Sequence, residues 1–473
     1  MKLKDIVTFV SKSVVPQRGA KYNLYSLPSF DENKSAEVLD GAEIQSNKYD
    51  VPNKCILFNK LNVRFKRVWR INNSDSNKIA STEFLPLVVN EDVVDYQYCY
   101  YLLISDEITN YLCGQNSNTS GSHKRIDPQN FLNIDIHLPK MPIQKAIGKT
   151  LSNIDRKIEL NKRINDNLEA MAKQLYDYWF VQFDFPNEEG KPYKSSGGAM
   201  VWNEDLHMSI PCTWKTCLLS DYISSNNTGD WGFDEPAKKK SIKVGCIRGA
   251  DIVKLNNLPI RYIKDNNTSK LLSAWDIVIE VSGGSPTQAT GRSAFVTPGV
   301  LKRNGGNLTC SNFCHAFTMK DHKASAYFYF MWRMFYDNNN MFNFEGKTSG
   351  IKNFMTDTFL ANKWLDVPTA LLYLFFERVK VIYEQIDNNI EEVNTLTKQR
   401  DELLPLLMNG QASVNYHLSA KVYPLPIAYK KVMPIVTNQT ISNTFIQKFD
   451  NHTPSPCLQT SNHSIPKEER NDL

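Results

Sequence analysis

Residues 142–184 read PIQKAIGKTLSNIDRKIELNKRINDNLEAMAKQLYDYWFVQFD, with a regular alternation of four- and three-residue steps between spaced positions. These positions are Ile147, Leu151, Ile154, Ile158, Asn161, Asn165, Leu168, Ala172, Leu175 and Trp179. A period of 3.5 residues is typical of a coiled-coil seam, not merely of an amphipathic helix. At 1.5 Å per residue the predicted helix is roughly 50 Å long.

A second stretch near the end of the chain has the same spacing. Its positions are Phe375, Val379, Ile382, Ile386, Asn389, Val393, Leu396, Arg400, Leu403 and Leu407. A helix this long cannot bury its apolar stripe alone, so we predict that the two helices pair as an antiparallel coil, with polar seam residues fixing register. The apolar seam is assigned to Ile147, Leu151, Ile154, Ile158, Leu168, Leu175, Val379, Ile382, Ile386, Val393, Leu396 and Leu403. The alternative is that each helix packs on its own domain.

Upstream of each helix lies a mixed region, and the two regions resemble each other. Thr119-Ser120-Gly121 recurs as Thr348-Ser349-Gly350, and several further matches follow in colinear order. Short apolar runs such as Cys55–Phe58 and Asp276–Ile279 are typical of strands. We therefore predict an α+β fold. Two mixed α/β domains form a pseudo-symmetric tandem repeat, separated by two long helices that pair as an antiparallel coiled coil.

The same features predict the domain boundaries. They are a first domain at 1–141, a helix at 142–185, a polar linker at 186–211, a second domain at 212–367, a helix at 368–410 and a poorly ordered polar tail at 411–473.

Composition limits the class of protein. The 473 residues are 41% hydrophobic and 22% charged, which excludes a wholly disordered or fibrous chain. A net charge of +5 is compatible with nucleic acid without indicating it. Nine cysteines without paired spacing suggest reduced thiols in the cytoplasm. The start lacks a signal peptide, and the longest apolar run, residues 370–376, is far too short for a membrane span.

Catalytic motifs are missing from the sequence. It contains neither a glycine-rich phosphate loop nor an H-E-x-x-H pair. Cys310, Cys314 and His315 lack a second pair at finger spacing, so buried thiols are favoured over zinc. Two E-x-K triplets, at 189–191 and 345–347, are as short as chance matches. We therefore expect no catalytic residues, no metal and no cofactor, and a binding or architectural role.

Local basic clusters indicate where nucleic acid could bind. Residues 51–73 carry six Lys or Arg, no Asp or Glu, and interleaved aromatics; a solvated strand face is the alternative. Residues 238–270 hold nine Lys or Arg against two Asp, and the glycine-containing loop 282–292 offers groups for base edges, unless it is an ordinary surface loop. The two Thr-Ser-Gly turns have basic neighbours, although they could simply redirect the chain. The DNA-binding candidates are Lys60, Arg64, Lys66, Arg67, His123, Lys124, Arg125, Arg248, Ser285, Thr287, Gln288, Arg292, Lys347 and Lys352.

Residues Pro142–Asp184 closely resemble the central conserved region of Type I restriction-modification specificity subunits, and LLPLLMNGQASV at 403–414 resembles their distal conserved region. The resemblance covers about residues 1–415. It implies a non-catalytic subunit that binds double-stranded DNA, two methyltransferase (modification) subunits and motor-nuclease (restriction) subunits. It also implies that each mixed domain, a target recognition domain, reads one half of a bipartite asymmetric target. The paired helices would then set the gap and dock the methyltransferase subunits.

The sequence departs from this family pattern at three places. The first half lacks the Trp-containing lead-in found at Ile210–Trp214, the second helix has Ala370-Leu371 in place of the usual Glu-Gln pair, and the tail is long. Two other functions stay open from the residues alone. One is a coiled-coil scaffold that does not bind DNA, and the other is a restriction endonuclease or methyltransferase with an unrecognised catalytic site.

Overall fold

The computed structural model describes residues 1–115, 125–236, 241–283, 285, 287–348 and 351–414. These residues form two compact units. The first comprises residues 1–167 and 386–414, and the second comprises residues 168–385. Apart from residues 411–414, the predicted polar tail lies outside the described residues. The boundaries of the six predicted segments stay a prediction.

Short strands and a few helices make up most of the described first unit. Its strands are β1 (Val7–Phe9), β2 (Ser13–Val14), β3 (Lys21–Tyr25), β4 (Glu37–Asp40), β5 (Lys48–Asp50), β6 (Lys54–Asn59), β7 (Val68–Asn72), β8 (Lys78–Ala80) and β9 (Phe84–Val89). Its helices are α1 (Leu27–Glu32), α2 (Tyr96–Leu103), α3 (Asp106–Gln115) and α4 (Pro128–Leu132). The long helix α5 (Met141–Tyr176) begins in this unit and continues into the second.

The second unit is built from the same kinds of element. Its strands are β10 (Met200–Asn203), β11 (Met208–Pro211), β12 (Lys215–Leu218), β13 (Ile223–Thr228), β14 (Ser241–Ile247), β15 (Ile260–Lys264), β16 (Ile277–Glu280), β17 (Ser282–Gly283), β18 (Ser293–Phe295), β19 (Leu308–Cys310), β20 (Cys314–Met319), β21 (Glu345–Thr348), β22 (Ile351–Phe354) and β23 (Lys363–Asp366). Its helices are α6 (Pro298–Arg303), α7 (Ser325–Asp337) and α8 (Thr356–Leu360). The long helix α9 (Thr369–Met408) begins here and ends in the first unit.

Strand order demonstrates the tandem repeat. In the first unit an antiparallel sheet runs β1-β9-β6-β7, and in the second an antiparallel sheet runs β13-β20-β16-β18. A further sheet in each unit contains three strands of which the central one has an antiparallel and a parallel neighbour, β4-β3-β8 in the first and β15-β14-β19 in the second. In the first unit β5 and β2 extend this sheet. Each strand of one series therefore has a counterpart at the same place in chain order. The predicted α+β repeat is confirmed.

The apolar runs that predicted strands are buried on both faces. In β6, Ile56 and Phe58 belong to a core shared with helices, whereas Cys55 and Leu57 belong to a core facing the five-stranded sheet. Successive side chains of a strand point to opposite faces. A strand covered on both sides therefore reads as a continuous apolar run instead of an alternating one.

The two long helices pair in antiparallel fashion within the first unit. The Asn161 amide donates to Glu392 at 2.7 Å, and the Asn389 amide donates to the side-chain oxygen of Asn165 at 2.7 Å. Arg400 contacts Asp155 at 3.2 Å. Residue numbers rise along one helix as they fall along the other, so the predicted antiparallel pairing is confirmed.

Helix α5 and the end of α9 also pack on the mixed domain of the first unit. Ile147, Leu151 and Leu407 belong to the same core as the apolar side chains of β6, β9 and α2. The two packing arrangements weighed for the helices therefore coexist, since the helices pair with each other and also contribute to the domain core.

Within the second unit the pairing is made by aromatic rings. Tyr176 and Trp179 lie 6.3 and 5.7 Å from Phe375, measured between ring centroids. Helix α5 ends in a π-helical turn at Asp177–Val181, which adds a residue to the local period.

The structure buries half of the predicted apolar seam residues. The buried ones are Ile147, Leu151, Ile158, Leu168, Val379 and Ile386. The half-buried ones are Ile154, Leu175, Ile382, Val393, Leu396 and Leu403. In the second unit the neighbouring Tyr176 and Tyr383 are buried more deeply than Leu175 and Ile382, in keeping with the aromatic contacts there.

The region predicted as a linker is well packed in the second unit. The Phe185 ring stacks on Tyr193 and Trp214, with centroids 4.8 and 5.1 Å apart. The Asp184 carboxylate accepts hydrogen bonds from the backbone N–H and hydroxyl of Ser195 at 2.7 and 2.6 Å. The segment continues into the antiparallel β10–β11 hairpin. Its many polar residues therefore coexist with a defined path.

Candidate nucleic-acid interface

Two topologically equivalent loops carry most of the candidate residues. Residues 60–67, here called the first hairpin loop, connect antiparallel strands β6 and β7. Residues 281–292, the second hairpin loop, connect antiparallel strands β16 and β18, which occupy the corresponding places in the second unit. The repeat thus places Lys60, Arg64, Lys66 and Arg67 in one loop, and Ser285, Thr287, Gln288 and Arg292 in the other.

The first hairpin loop contains a short 3₁₀ turn and is hydrogen-bonded to a buried side chain at the end of β6. Asn62 and Lys66 both have positive φ, +54° and +37°, and a short 3₁₀ turn, Val63–Phe65, lies between them. Buried Asn59 accepts a hydrogen bond from the Leu61 N–H at 2.9 Å. Non-glycine residues with positive φ are strained, and such strain is found mainly where the surrounding structure imposes it. These features define the backbone path of the loop.

Most cations of the first basic cluster already have carboxylate partners. Arg67 makes a bidentate pair with Asp31, at 2.7 and 2.6 Å, and this pair holds the pKa of Asp31 below its usual value. Lys66 contacts Asp106 at 2.5 Å. Farther along the cluster, Lys54 contacts Glu91 and Arg70 contacts Asp155. Because these ion pairs link the loop to the rest of the unit, part of the basic cluster is structural.

Lys60 and Arg64 differ from their neighbours. Neither has an ion-pair partner among the described residues, and the Arg64 side chain is exposed. Their charge is therefore available for a phosphate.

An aromatic ring stands at the tip of the same loop. Phe65 is 51% exposed. The guanidinium carbons of Arg64 and Arg67 lie 4.8 and 4.9 Å from its ring centroid. Cations at this distance interact favourably with the ring electrons. The tip therefore combines an exposed apolar edge with two positive groups.

The segment after the first Thr-Ser-Gly turn lies beside this loop. Leu61 and Arg125 form an antiparallel bridge, and Arg125 makes a bidentate pair with Glu83. His123 and Lys124, together with the turn itself, lie outside the described residues. The second half has a matching arrangement, since β17 of the second hairpin loop pairs with β22 after the other Thr-Ser-Gly turn.

The second hairpin loop is anchored by aromatic donors from α7. The Trp332 indole N–H donates to the Gly291 carbonyl at 2.7 Å, and the Tyr336 hydroxyl donates to the Ala289 carbonyl at 3.2 Å. Gly291 has φ +94°, which a side chain would disfavour. Thr287 and Gln288 remain exposed, and Ser285 accepts a hydrogen bond from the Gln288 N–H at 3.2 Å. These three residues supply the outward polar groups of the loop.

Two of the predicted DNA-binding residues in this region, Arg292 and Lys352, form ion pairs within the unit. Arg292 makes a bidentate pair with buried Glu280, 2.7 Å for each contact. Lys352 contacts buried Glu345 at 3.1 Å. Burial raises the pKa of Glu345, but hydrogen bonds from Thr290 and Lys352 outweigh it and leave that pKa below its usual value. Both cations therefore neutralise buried carboxylates and hold the loop in place.

The remaining candidates of the second unit lie at different places. Arg248 is exposed and pairs with Asp251 at 2.7 Å, at the start of a short 3₁₀ turn. Lys347 lies directly opposite Lys352 in the β21–β22 register, and its side chain is outside the described residues. A cavity of about 80 Å³ is lined by Glu280, Gly283, Ser285, Gln288, Ala289, Thr290 and Arg292.

The motifs considered for catalysis have structural partners. Glu345 of the second E-x-K triplet binds Thr290 and Lys352, and the exposed Glu189 of the first triplet pairs with Lys191 at 2.9 Å. Burial raises the pKa of Cys314 to about 11, so the thiol stays protonated. Among the described residues no group of three or more His, Cys, Asp or Glu could hold a metal ion. In the same part of the chain, no helix combines the length and the apolar character that crossing a membrane requires.

Sequence reasoning missed the groups that hold these loops. Asp31 lies far from Arg67 in sequence, and no local sequence pattern predicts that the two residues form an ion pair. Trp332 and Tyr336 are one helical turn apart, a spacing that places two side chains on one face. That signal was present, but it does not say which loop the face contacts.

Several known proteins are similar to this chain. The family model of the Type I restriction modification DNA specificity domain matches residues 1–170. The Type I restriction enzyme MjaIX specificity subunit of Methanocaldococcus jannaschii is 25% identical over 350 residues, covering 72% of this chain and 74% of the relative. The Type I restriction enzyme HindI specificity subunit of Haemophilus influenzae is 22% identical over 414 residues, covering 77% of this chain and 90% of the relative.

Solved structures of the same description are also similar. The Type I restriction-modification S subunit from M. genitalium has 14% identity and a TM-score of 0.49, with 86% of this chain and 95% of that chain covered. The HsdS subunit from Thermoanaerobacter tengcongensis has 13% identity and a TM-score of 0.33, with 87% and 96% covered. The family model matches the first 170 residues and two curated relatives align along most of the length, so the chain is similar to Type I restriction-modification specificity subunits.

Proposed function

We propose that this chain selects the DNA sequence on which a Type I restriction-modification complex acts. Each unit reads one half of a bipartite, asymmetric double-stranded target, and the hairpin loops at 60–67 and 281–292 make the principal contacts. The chain itself supplies specificity and leaves catalysis to other subunits. It works in the cytoplasm with two methyltransferase subunits, which dock on the paired helices, and with motor-nuclease subunits.

The equivalent position of the two hairpin loops is the observation that carries this proposal. Both loops connect the same pair of strands in the repeated sheet, yet their chemistry differs. The first offers Lys60, Arg64 and the ring of Phe65, whereas the second offers the exposed Thr287 and Gln288. Equivalent placement with different contact groups is what reading two unlike half-sites requires.

The ion pairs within the loops favour a positioning role for the paired cations. Arg67, Arg292 and Lys352 are held by carboxylates of their own unit, so they shape the loops. Lys60 and Arg64, which have no such partner among the described residues, can neutralise phosphates and displace counterions. Replacing either one should weaken binding to all sequences alike and reduce its salt dependence.

Methylome sequencing tests the proposed function directly. The full chain is expressed with the modification subunits of its own system in a host that lacks other methyltransferases, and long-read sequencing maps methylated bases. We expect one bipartite motif with a fixed gap, which disappears when this chain is deleted. Methylation that persists without the chain, or that has no sequence preference, would contradict the proposal.

Substitutions in the second hairpin loop separate the two half-sites. Replacing Thr287 and Gln288 with alanine should relax or change one half of the motif and leave the other half intact. The matched control is alanine at Asn266 and Thr268, two exposed residues in another turn of the same unit. If both halves of the motif changed together, the assignment of one unit to each half would be wrong.

A further inference from the structure

The tip of the first hairpin loop exposes an apolar ring among cations. Phe65 is 51% exposed, although the cores of the same unit take up most of its other aromatic side chains. The backbone on either side, at Asn62 and Lys66, is held at positive φ. The exposure therefore follows from a defined conformation of the turn.

One neighbour of the ring is fixed in position. The Arg67 guanidinium lies 4.9 Å from the ring centroid and is locked by two hydrogen bonds to Asp31, at 2.7 and 2.6 Å. A ring with a guanidinium fixed over it is not free to slide between two base pairs, because intercalation needs both faces. Its exposed edge remains available.

The surface of DNA offers few apolar groups to such an edge. Phosphates are charged, and base edges in the major groove present donors and acceptors, with one exception: the C5-methyl group of thymine. Lys60 and Arg64, which have no ion-pair partner among the described residues, can bind phosphates on either side of the contact.

On the basis of the proposed DNA-reading function, we propose that Phe65 contacts a thymine methyl group in the half-site read by the first unit. Phe65 is then a specificity-determining residue, and Arg64 and Lys60 position the DNA backbone against it.

Deoxyuridine substitution tests this contact, because it removes only the methyl group. The complex of the full chain with its modification subunits is titrated against duplexes carrying the methylome-derived target. Each thymine of both half-sites is replaced in turn by deoxyuridine. For one thymine we expect a loss of affinity of roughly 3- to 10-fold with the native chain, the size expected when the burial of one methyl group is lost.

The same duplexes are then titrated with the Phe65→Ala complex. This variant should bind the native target as weakly as the native complex binds the deoxyuridine duplex, with no further loss when both changes are combined. Phe65→Leu, which keeps an apolar side chain, should retain part of the preference. Val38→Ala is the matched control, since Val38 is 63% exposed on the other sheet of the unit and should not change either affinity.

The outcomes separate this inference from the function on which it rests. If the native complex binds target and unrelated DNA equally well, the DNA-reading function itself has failed. If the complex discriminates but no thymine is coupled to Phe65, or the target contains none, the assignment of Phe65 is overturned. A 2-aminopurine probe in the target that brightens with the native complex but not with the Phe65→Ala complex would also overturn it, because unstacking indicates a wedge.

Discussion

Asp155 is the residue at which three segments of the first unit meet. Its carboxylate contacts Arg70 of β7 and Arg400 of α9, each at 3.2 Å, and accepts a hydrogen bond from the Tyr101 hydroxyl of α2. The side chain is 16% exposed. A single charge on the long helix therefore ties the mixed domain to both helices of the pair.

Asp155→Asn should destabilise the first unit by about 2–3 kcal/mol, because it leaves the partly buried Arg70 without its counter-charge and removes the less exposed of the two carboxylates that pair with Arg400. Unfolding of the purified complex in urea measures the change. Asp401→Asn is the control: Asp401 also pairs with Arg400 but is 59% exposed, so the loss there should stay below about 1 kcal/mol. Equal losses of unfolding free energy for the two substitutions would show that Asp155 contributes no more to stability than an exposed ion-pair partner.

Gly148 lies where helix α5 passes closest to the start of α2. A Cβ at this position would come within 2.7 Å of an Asp95 side-chain oxygen and 2.9 Å of the Tyr98 nitrogen. Asp95 caps α2 by accepting the Tyr98 N–H, so the added atom would push against a bonded cap.

Gly148→Ala should therefore cost about 1–3 kcal/mol of unfolding free energy, despite the higher helix propensity of alanine. Gly114→Ala in α3 provides the comparison, since a Cβ there meets nothing within 4 Å. Thermal unfolding should show a lower midpoint for the first variant and an equal or higher one for the second. A stabilising Gly148→Ala would mean that the helices separate readily here.

At the level of single side chains, the sequence showed where basic residues cluster but not which of them pair with carboxylates in the folded chain. The cluster at 51–73 is basic as expected, yet Lys66, Arg67 and Arg70 pair with carboxylates from distant segments. Long-range pairing depends on the folded path and leaves no local pattern. For this reason the candidate DNA contacts stay predictions. Lys60 and Arg64 are favoured because they have no ion-pair partner in the part of the chain that the structure describes, whereas Arg292 and Lys352 pair with carboxylates of their own unit.

Among the elements, the paired helices were the most predictable because heptad spacing reports burial directly. Near the end of α5, a local change explains where the pattern failed. The π-helical turn at Asp177–Val181 and the aromatic contacts of Phe375 favour burial of Tyr176 over Leu175. Such a turn has no signature in an apolar periodicity, so the spacing could not predict that Tyr176 is buried in place of Leu175.

The polar contacts of the helix pair make its stability depend on pH. Partial burial raises the pKa of Glu392, but hydrogen bonds from Lys157 and Asn161 outweigh it, so this pKa lies below its ordinary value of 4.5. The carboxylate therefore stabilises the folded state fully above the unfolded pKa. This contribution is lost as pH falls through the lower, folded pKa.

Replacing Glu392 with glutamine should remove this pH dependence. The difference in unfolding free energy between native chain and Glu392→Gln is expected to be constant near neutral pH and to shrink as pH falls from about 5 to 3. Glu402→Gln, at a more exposed site of the same helix, controls for the loss of one charge. A difference that grows on acidification would have the wrong sign.

For the whole molecule, the proposed spacing role of the helices makes a quantitative prediction. One heptad inserted after Leu160 in α5 and another after Val393 in α9 lengthens the pair without shifting its seam, since Asn161 and Glu392 lie side by side. Seven residues add ~10.5 Å, which corresponds to about three base-pair steps of 3.4 Å.

The inserted complex should methylate the same two half-sites separated by a gap about three base pairs longer, as read by methylome sequencing. Four-residue insertions at the same points interrupt the heptad pattern and should abolish a defined gap. Altered half-sites with an unchanged gap would show that the helices do not set the spacing.

The first unit is completed by residues from late in the chain, since residues 386–414 join residues 1–167 and Leu407 is buried in their core. During synthesis, residues 168–385 leave the ribosome before this segment does, a delay of roughly 10–40 s. Throughout that interval the nascent first unit keeps an unfilled site for Leu407 and its neighbours. A messenger with a stop codon ahead of α9 would thus yield a chain in which both units are incomplete. Chaperones and proteases of the cell would have access to the unfilled cores of both units.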